Sequence, residues 1–579
     1  MPHRLRQKRQ QLLADETGCT PKAWGGRLSV ALVYPNSYYH AMSNLGFQAV
    51  YQIIQQRDDC LCERFFLPDP EDLQLYHKTG TPLVSLESGR ELKNFDIVAF
   101  SLSFENDYIN FPTIFSLAKM PLWSAERSGE YPLVTAGGIC AMLNPEPIAD
   151  FVDLFVVGEA EVLLPGLLDA AQLNRERIEL LEQLARVPGY YVPSLYTVTY
   201  ADDGTIAAIT PQRGANFPVQ RCWLADLENS RCQSLIKTPH TAFGTMDLIE
   251  VSRGCSRGCR FCATGFAYLP PREKGSATVL EQLRPQIEAD STAGLVGAAV
   301  SDYSHLEEVS QLVIDQGADV SVASLRIDTM TNEHVRALKR GGQKTLSLAP
   351  EAGSQRLRNV INKNLSEEQI INAVEILAQE EILNLKLYFL IGLPSEGPDD
   401  IAQLLALTEK IRLVWSAAQR PHGHLGTITL SVNPFIPKPQ TPFQWSAMAD
   451  MATLKKTVAS LRKQVNRMHN TKLQVESLRS AELQAVLARG DRRIAQILTS
   501  LSTGDNLKAA CRQQELEPKF YAHRMRSQHE VLPWDVIDTG VKRNYLWHEY
   551  QQGLSETLTR PCSSDCQRCG VCSPSATQI

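Results

Sequence analysis

Short apolar runs alternate with amphipathic stretches over the first third of the chain. The runs that predict strands are RLSVALVY, CERFFL, DIVAFSLSF, PLVTAGG and DLFVVG, and the stretches SNLGFQAVYQIIQQ and DYINFPTIFSLAKM have helical periodicity. Such alternation predicts a doubly wound parallel sheet, which binds ligands at the carboxyl ends of its strands. We therefore predict a Rossmann-like domain over residues 27–165, preceded by a polar N-terminal segment at 1–26.

A second alternation of strand and helix patterns begins near residue 247. Its six apolar runs are DLIEVS, GLVGAAV, ADVSVAS, KTLSLAP, NLKLYFLIG and GTITLSV, each followed by a helical or loop segment. Six parallel units predict a partial (β/α)6 barrel over residues 246–446, with its active site at the carboxyl ends of the strands. The predicted fold class is α/β.

Two further regions differ from these repeats. Residues 166–245 form a connector in which YTVTYADDGTIAAITP predicts a β-hairpin around Asp-Asp-Gly. Residues 447–579 are mostly helical, as the stretches LKKTVASLRKQVNRMHNTK, SAELQAVLARG and RRIAQILTSLSTG indicate. The first of these stretches is basic, which is typical of a solvated helix face; contact with nucleic acid or an acidic partner is the alternative.

Composition narrows the class of protein. The chain has 579 residues, 43% of them hydrophobic, and its net charge of -6 argues against a globally basic nucleic-acid binder. No run of eighteen apolar residues predicts a membrane span, and the polar start MPHRLRQKRQQLLADE lacks the apolar core of a signal peptide. We expect a reducing, cytoplasmic compartment, which favours metal ligation over disulfides as the role of the cysteine motifs among the 14 cysteines.

The segment EVSRGCSRGCRFCATGFAYLPPREK carries three cysteines, Cys255, Cys259 and Cys262, at C-x3-C-x2-C spacing. Three thiolates so placed can hold three irons of a [4Fe-4S] cluster and leave the fourth iron open to a ligand. Gly254 and Gly258 allow the loop to turn tightly. A zinc knuckle fits the spacing less well, because such sites pair C-x2-C units with a fourth local ligand.

A second cysteine motif closes the C-terminal region. Cys562, Cys566, Cys569 and Cys572 stand at C-x3-C-x2-C-x2-C spacing within PCSSDCQRCGVCSP. Four thiolates suit either an auxiliary [4Fe-4S] cluster or a structural zinc ion. The spacing resembles ferredoxin runs and favours the cluster.

The first cysteine motif, with an aromatic residue before its third cysteine, resembles that of the radical S-adenosylmethionine (SAM) superfamily. In that superfamily the open iron binds SAM, and an electron from the reduced cluster cleaves SAM to a 5′-deoxyadenosyl radical. The resemblance implies SAM contacts at strand ends, where Ser301-Asp302-Tyr303 replaces the usual G-G-E motif and Arg326 would pair with the SAM carboxylate. The implied SAM-binding residues are Phe261, Ser301, Asp302, Ser324, Arg326, Glu351, Gly353, Ile391, Gly392 and Leu393.

The N-terminal domain resembles the cobalamin-binding domain that precedes the barrel in many radical SAM proteins. The resemblance places cobalamin contacts at Ser101 and Ser103 and at Gly137 and Gly138. The D-x-H-x-x-G motif is absent, and the corresponding YPNSYYHAMSNLG has only His40. The resemblance thus implies cobalamin without a histidine ligand, or a domain that has lost cobalamin and only shapes the active site.

The complete arrangement resembles an uncharacterised radical SAM group with a B12-binding-like N-terminal domain and a cysteine-rich C-terminal region. The expected function is hydrogen abstraction from an unactivated C-H bond, by a transferase such as a cobalamin-dependent C-methyltransferase or by an oxidoreductase. A methylthiolation-like modification of RNA or ribosomal protein is a second expectation, and a non-catalytic metal-knuckle binding module is a third. A flavodoxin or ferredoxin is the expected electron donor.

Overall fold

The computed structural model describes residues 1–173, 176–288, 291–322, 326–340, 344–423, 425–563 and 565–572. The fold is mixed α/β, as the alternation of apolar runs predicts. No helix in this described part combines the length and apolar character needed to cross a membrane.

The N-terminal domain is built on a six-stranded sheet of order β2-β1-β3-β4-β5-β6. Five strands are parallel, and the short sixth strand joins β5 antiparallel. The strands are β1 (Leu28–Tyr34), β2 (Cys60–Phe66), β3 (Ile97–Ser101), β4 (Leu133–Gly137), β5 (Leu154–Val156) and β6 (Tyr190–Tyr191). All five predicted strands are present, and the strand order reverses between β1 and β3, the switch point where such sheets bind ligands.

Helices cover both faces of this sheet, because each parallel strand must return through a crossover. They are α1 (His3–Ala14), α2 (Tyr38–Met42), α3 (Leu45–Gln55), α4 (Pro70–Thr79), α5 (Phe111–Ala118), α6 (Ile139–Leu143), α7 (Ala160–Gln172) and α8 (Arg177–Leu184). The connector then forms the predicted antiparallel hairpin, β7 (Tyr196–Tyr200) and β8 (Ile206–Pro211), followed by β9 (Val219–Gln220).

The six strands predicted for the barrel are present in order. The strands of this region are β10 (Asp247–Glu250), β11 (Ser252–Arg253), β12 (Arg272–Glu273), β13 (Thr292–Val296), β14 (Asp319–Val322), β15 (Thr345–Glu351), β16 (Asn384–Ile391), β17 (Thr427–Pro434) and β18 (Thr471–Val475). Within the described residues, seven of these strands form two parallel sheets, β10-β13-β14 and β15-β16-β17-β18, and β11 pairs antiparallel with β12, so no closed barrel is present. Strand β18 begins at the end of the predicted helical stretch LKKTVASLRKQVNRMHNTK and was not predicted.

Helices follow the strands of this region and then fill the C-terminal region. They are α9 (Thr264–Ala267), α10 (Ser276–Leu283), α11 (Leu306–Asp315), α12 (Asn332–Arg340), α13 (Gln355–Val360), α14 (Glu367–Gln379), α15 (Pro398–Gln419), α16 (Met451–Val465), α17 (Leu478–Arg489), α18 (Ile494–Ser502), α19 (Leu507–Gln513), α20 (Pro518–Ala522) and α21 (Arg543–Leu554). A last strand, β19 (Ile537–Asp538), pairs parallel with β9 of the connector.

A separate hydrophobic core joins three parts of the chain that are distant in sequence. Phe266 comes from the cysteine loop, Phe443 and Trp445 from the segment after β17, and Tyr550 and Cys569 from the C-terminal region. Burial of these four large aromatic side chains contributes several kcal/mol at roughly 2 kcal/mol each. This core fixes the C-terminal region against the cysteine loop.

Candidate functional site

The cysteine loop follows the first barrel strand and doubles back on itself. Strand β11 pairs antiparallel with β12, which brings the end of the loop beside its start. Gly254 has a φ of 85°, and a Cβ at this position would lie 2.5 Å from the carbonyl oxygen of Tyr268. Only glycine fits this turn, so position 254 requires glycine for steric reasons.

The loop places Cys255, Cys259 and Cys262 near one another in half-buried positions. Burial raises the pKa of Cys259 to about 12; the thiolates of Cys255 and Cys262 add to this rise, and Lys363 opposes it. A bound metal ion removes such thiol protons, because thiolate is the ligand form.

Three soft thiolates from one loop fit a [4Fe-4S] cluster by donor chemistry. Among the described residues, no three His, Cys, Asp or Glu side chains already stand at metal-binding distance around one point. The ligand assignment therefore rests on the donor set and the spacing of the motif.

A cluster of four charged residues adjoins the cysteine loop at the ends of β13 and β14. Arg257 pairs with Asp302 at 2.5 Å and with Asp328 at 3.2 Å, and Arg326 pairs with Asp328 at 3.0 Å. The hydroxyl of Ser301 accepts the backbone N–H of Arg326 at 3.1 Å. The structure thus brings three of the predicted SAM-binding residues together, and Arg326 already has carboxylate partners. The predicted contact Ser324 lies outside the described residues.

Glu351 lies beside the cysteines at the end of β15. Its carboxylate is 3.3 Å from the ammonium group of Lys363, and both residues lie close enough to influence the Cys259 thiol. Burial raises the pKa of Glu351, whereas Lys363 opposes the rise. Lys363 was missed in the sequence because its position after α13 carries no motif of its own.

Two predicted SAM contacts have structural roles that explain their residue types. A Cβ on Gly353 would lie 2.1 Å from the Cα of Leu404, so this glycine lets α15 approach the end of β15. Gly392 has a φ of 75°, and its N–H donates to the carboxylate of Glu396 at 2.8 Å. The carbonyl of Ile391 accepts the N–H of Phe435, and Leu393 is buried.

The C-terminal region contacts the cysteine loop directly. Arg260, between the second and third cysteines, is fully buried and pairs with Glu549 of α21 at 3.2 Å. The same guanidinium donates to the carbonyls of Asn359, Val360 and Thr557. Next to it, Phe261 packs against the separate hydrophobic core.

Asn362 also links the cysteine loop to the C-terminal region. Its amide donates to the carbonyls of Arg257 and Gly258 and accepts the N–H of Thr559 at 2.9 Å. The backbone N–H of Cys562 donates to the carbonyl of Ser256 at 2.7 Å. The two cysteine motifs, about 300 residues apart in sequence, are therefore in contact.

A single cavity is lined by cysteines of both motifs. Cys255 of the first motif and Cys562, Cys566 and Cys569 of the second all border it. Sequence reasoning identified both motifs but not their contact, because nothing local in either motif reports on the other.

The carboxyl end of the N-terminal sheet faces the carboxyl end of the barrel strands. Lys438, in the segment after β17, pairs with the buried Glu105 after β3 at 2.7 Å, and Gln484 of α17 donates to the same carboxylate. Arg253, at the end of β11, pairs with Glu159 and Glu161 after β5 at 2.7 and 2.8 Å. These ion pairs hold the two edges together.

The four predicted cobalamin contacts lie at this junction. Ser101 ends β3, Gly137 ends β4, and the hydroxyl of Ser103 accepts the side-chain amide of Asn44 at 2.9 Å. A Cβ on Gly138 would lie 2.4 Å from the carbonyl oxygen of Leu102, so this glycine permits a close backbone contact inside the domain. Their role in cobalamin binding stays a prediction.

Two protein-family models match the chain. The model of radical SAM proteins, N-terminal, matches residues 46–193, and that of the radical SAM superfamily matches residues 249–408. The second match begins in β10 and contains the cysteine loop. The chain belongs to the radical SAM superfamily. In this chain a doubly wound domain precedes the barrel strands.

Relatives of this radical SAM protein include an uncharacterized protein of Methanocaldococcus jannaschii, 28% identical over 85% of this chain and 95% of that protein. An uncharacterized methyltransferase of Pyrococcus horikoshii is 23% identical over 59% of this chain and 71% of that protein. Among solved structures, the cobalamin-dependent SAM radical enzyme OxsB matches with a TM-score of 0.45 and 13% identity, covering 91% of this chain and 79% of that one. Family membership implies a [4Fe-4S] cluster and SAM as cofactors.

Proposed function

We propose that this protein is a radical SAM enzyme that activates an unactivated C-H bond of its substrate. The observation that carries the proposal is the position of Cys255, Cys259 and Cys262, in one loop at the carboxyl end of the first barrel strand within the matched family region. These three cysteines would hold a [4Fe-4S] cluster, which when bound and reduced would supply the electron for the reductive cleavage of SAM.

The chain's own residues have supporting roles. Gly254 sets the turn of the loop, and Arg260 anchors the loop to the buried carboxylate of Glu549. Arg257, Asp302 and Arg326 form a charged group beside the cysteine loop, and they would offer partners of opposite charge to the amino and carboxylate groups of SAM.

Cobalamin-dependent C-methylation is a second candidate, favoured by the relative named as a methyltransferase. The residues at the sheet edge do not fit a corrinoid as they stand, because Glu105 is bound by Lys438 and Gln484 and Ser103 by Asn44. We therefore derive no step through cobalamin.

Anaerobic reconstitution with iron and sulfide tests the main proposal. Wild-type protein reduced with dithionite is expected to convert SAM to 5′-deoxyadenosine and methionine. A Cys255→Ala/Cys259→Ala/Cys262→Ala variant is expected to lose about four irons per chain and all of this activity. Cys19→Ala, a half-buried cysteine outside both motifs, is the matched control. Unchanged iron in the triple variant contradicts the proposal.

A further inference from the structure

We propose that Cys562, Cys566, Cys569 and Cys572 hold a redox-active second [4Fe-4S] cluster that passes electrons to the cluster at Cys255, Cys259 and Cys262. This inference rests on the proposed function, because it needs the first cluster as the electron acceptor. Four observations support it.

The first observation is the repeated spacing of the ligands. The cysteines at 562, 566 and 569 have the same C-x3-C-x2-C spacing as those at 255, 259 and 262, and Cys572 adds a fourth thiol. Three thiolates leave one iron of a cubane open, whereas four complete its ligation. A fully ligated cluster cannot bind SAM, and it retains the ability to carry an electron.

The second observation is the contact between the motifs. The N–H of Cys562 donates to the carbonyl of Ser256, next to Cys255, and Cys569 is buried in the same hydrophobic core as Phe266 of the first loop. Cys255 and three cysteines of the second motif border one cavity. Electron transfer between clusters requires a short separation, and the contact between the two motifs provides it.

The third observation is a charged hydrogen bond to a ligand sulfur. The guanidinium Nε of Arg568 donates to the Sγ of Cys566 at 3.1 Å. Hydrogen bonds to the sulfurs and positive charge nearby stabilise the reduced, more negative state of a cluster. Arg568 therefore favours acceptance of an electron at this site.

The fourth observation is the surface around the second motif. Lys542, His548, Arg560 and Arg568 border a groove there, and all four residues are exposed. Among the described residues, Glu549 is the one carboxylate that borders this groove, and it is already paired with the buried Arg260. A basic surface of this kind complements an acidic, low-potential electron-carrier protein.

The electron balance is simple. One electron leaves the reduced carrier and takes the second cluster from the 2+ to the 1+ state. The same electron then reduces the first cluster from 2+ to 1+ and returns the second cluster to 2+. No proton or bond is exchanged between the two clusters, and the carrier is the only external reductant.

The test compares two reductants on wild-type protein and on a Cys566→Ala/Cys572→Ala variant. Wild-type protein is expected to hold about eight irons and the variant about four. Electron paramagnetic resonance then reports reduction of the first cluster. We expect dithionite, a small molecule, to reduce that cluster in both proteins, whereas reduced flavodoxin reduces it in wild type at least about tenfold faster than in the variant.

Arg560→Glu provides a second variant that keeps every cysteine. It is expected to retain about eight irons and to slow reduction by flavodoxin but not by dithionite. The proposal is overturned if the second motif holds zinc instead of four irons. It is also overturned if the variants slow reduction of the first cluster by flavodoxin and by dithionite to the same extent. Because the readout is reduction of the first cluster, the test does not depend on SAM cleavage. If the first cluster of the wild-type protein is reduced normally but no 5′-deoxyadenosine forms, the proposed function is contradicted. The proposed electron transfer between the clusters is not.

Discussion

Arg260 and Glu549 form a buried ion pair that joins the cysteine loop to helix α21. Both side chains are almost fully buried, and the guanidinium also satisfies three backbone carbonyls near the pair. A buried charge that loses its partner is strongly destabilising, because it keeps the desolvation cost without the attraction. This pair is therefore the most sensitive connection between the two cysteine motifs.

Arg260→Met is expected to lower the free energy of unfolding by about 3–5 kcal/mol, because it leaves Glu549 buried without a cation. Urea unfolding of the reconstituted protein measures this change. The double variant Arg260→Met/Glu549→Leu should recover much of the loss. Lys410→Ala breaks an exposed pair with Glu367 and serves as the control, with an expected loss below about 1 kcal/mol. A loss for Arg260→Met no larger than that of the control contradicts a structural role for the pair.

Gly254→Ala is expected to reduce iron at the first motif, because the added Cβ would overlap the carbonyl oxygen of Tyr268. Iron content and the melting temperature after reconstitution measure the effect. Gly317→Ala is the matched control, since Gly317 has a similar φ of 83° but no atom within 4 Å of the added Cβ. It should lower stability by roughly 1 kcal/mol and leave iron unchanged. Equal iron in both variants contradicts the steric role of Gly254.

The raised pKa of Glu396 predicts that the stability of the protein depends on pH. Burial raises the pKa of Glu396 to about 7, and the N–H of Gly392 partly opposes this rise. A carboxyl group with a raised pKa in the folded state contributes stability that is complete below its unfolded pKa and is lost as the pH rises through about 7. Melting temperatures should therefore fall over this window.

Glu396→Gln keeps an acceptor for the N–H of Gly392 and removes the ionisation. It is expected to flatten the fall in melting temperature between about pH 5 and pH 8. Glu409→Gln is the control, because Arg412 lowers the pKa of the exposed Glu409 and so places its titration below this window. A profile for Glu396→Gln identical to wild type would show that Glu396 does not govern this dependence.

The wild-type protein is expected to retain only substoichiometric cobalt when hydroxocobalamin is present during reconstitution. The reason is that Lys438 and Gln484 already bind Glu105 at the sheet edge where a corrinoid would approach. Cobalt analysis and the visible spectrum after gel filtration measure retention. One cobalt per chain would show that this edge opens, and it would then favour the methyltransferase candidate.

The strands were predictable where burial makes the sequence uniformly apolar. The runs that became β1 to β5 and the six barrel strands are apolar because helices or the opposite sheet face cover them. Strand β18 escaped prediction because Thr471–Val475 is a partly exposed edge strand with alternating polar residues. A basic helical pattern before it extended the predicted helix beyond its observed end at Val465.

The metal ligands were predictable because the spacing of the cysteines in the sequence is enough to indicate a metal-binding loop. The roles of Gly353 and Gly138 were not, since a glycine that meets a ligand and a glycine that meets another backbone look the same in sequence. The pair of Arg260 and Glu549 was also invisible, because 289 residues separate the two partners. Contacts of that range arise from the packing of whole elements.

The pairing of β9 with β19 has a consequence for how the molecule unfolds. Val219 and Gln220 of the connector pair with Ile537 and Asp538 of the C-terminal region, so the barrel segment lies between two stretches of chain that are tied to each other. Cutting the chain on either side of the barrel would place the two strands of this ladder on separate fragments. We therefore expect the connector and the C-terminal region to unfold together.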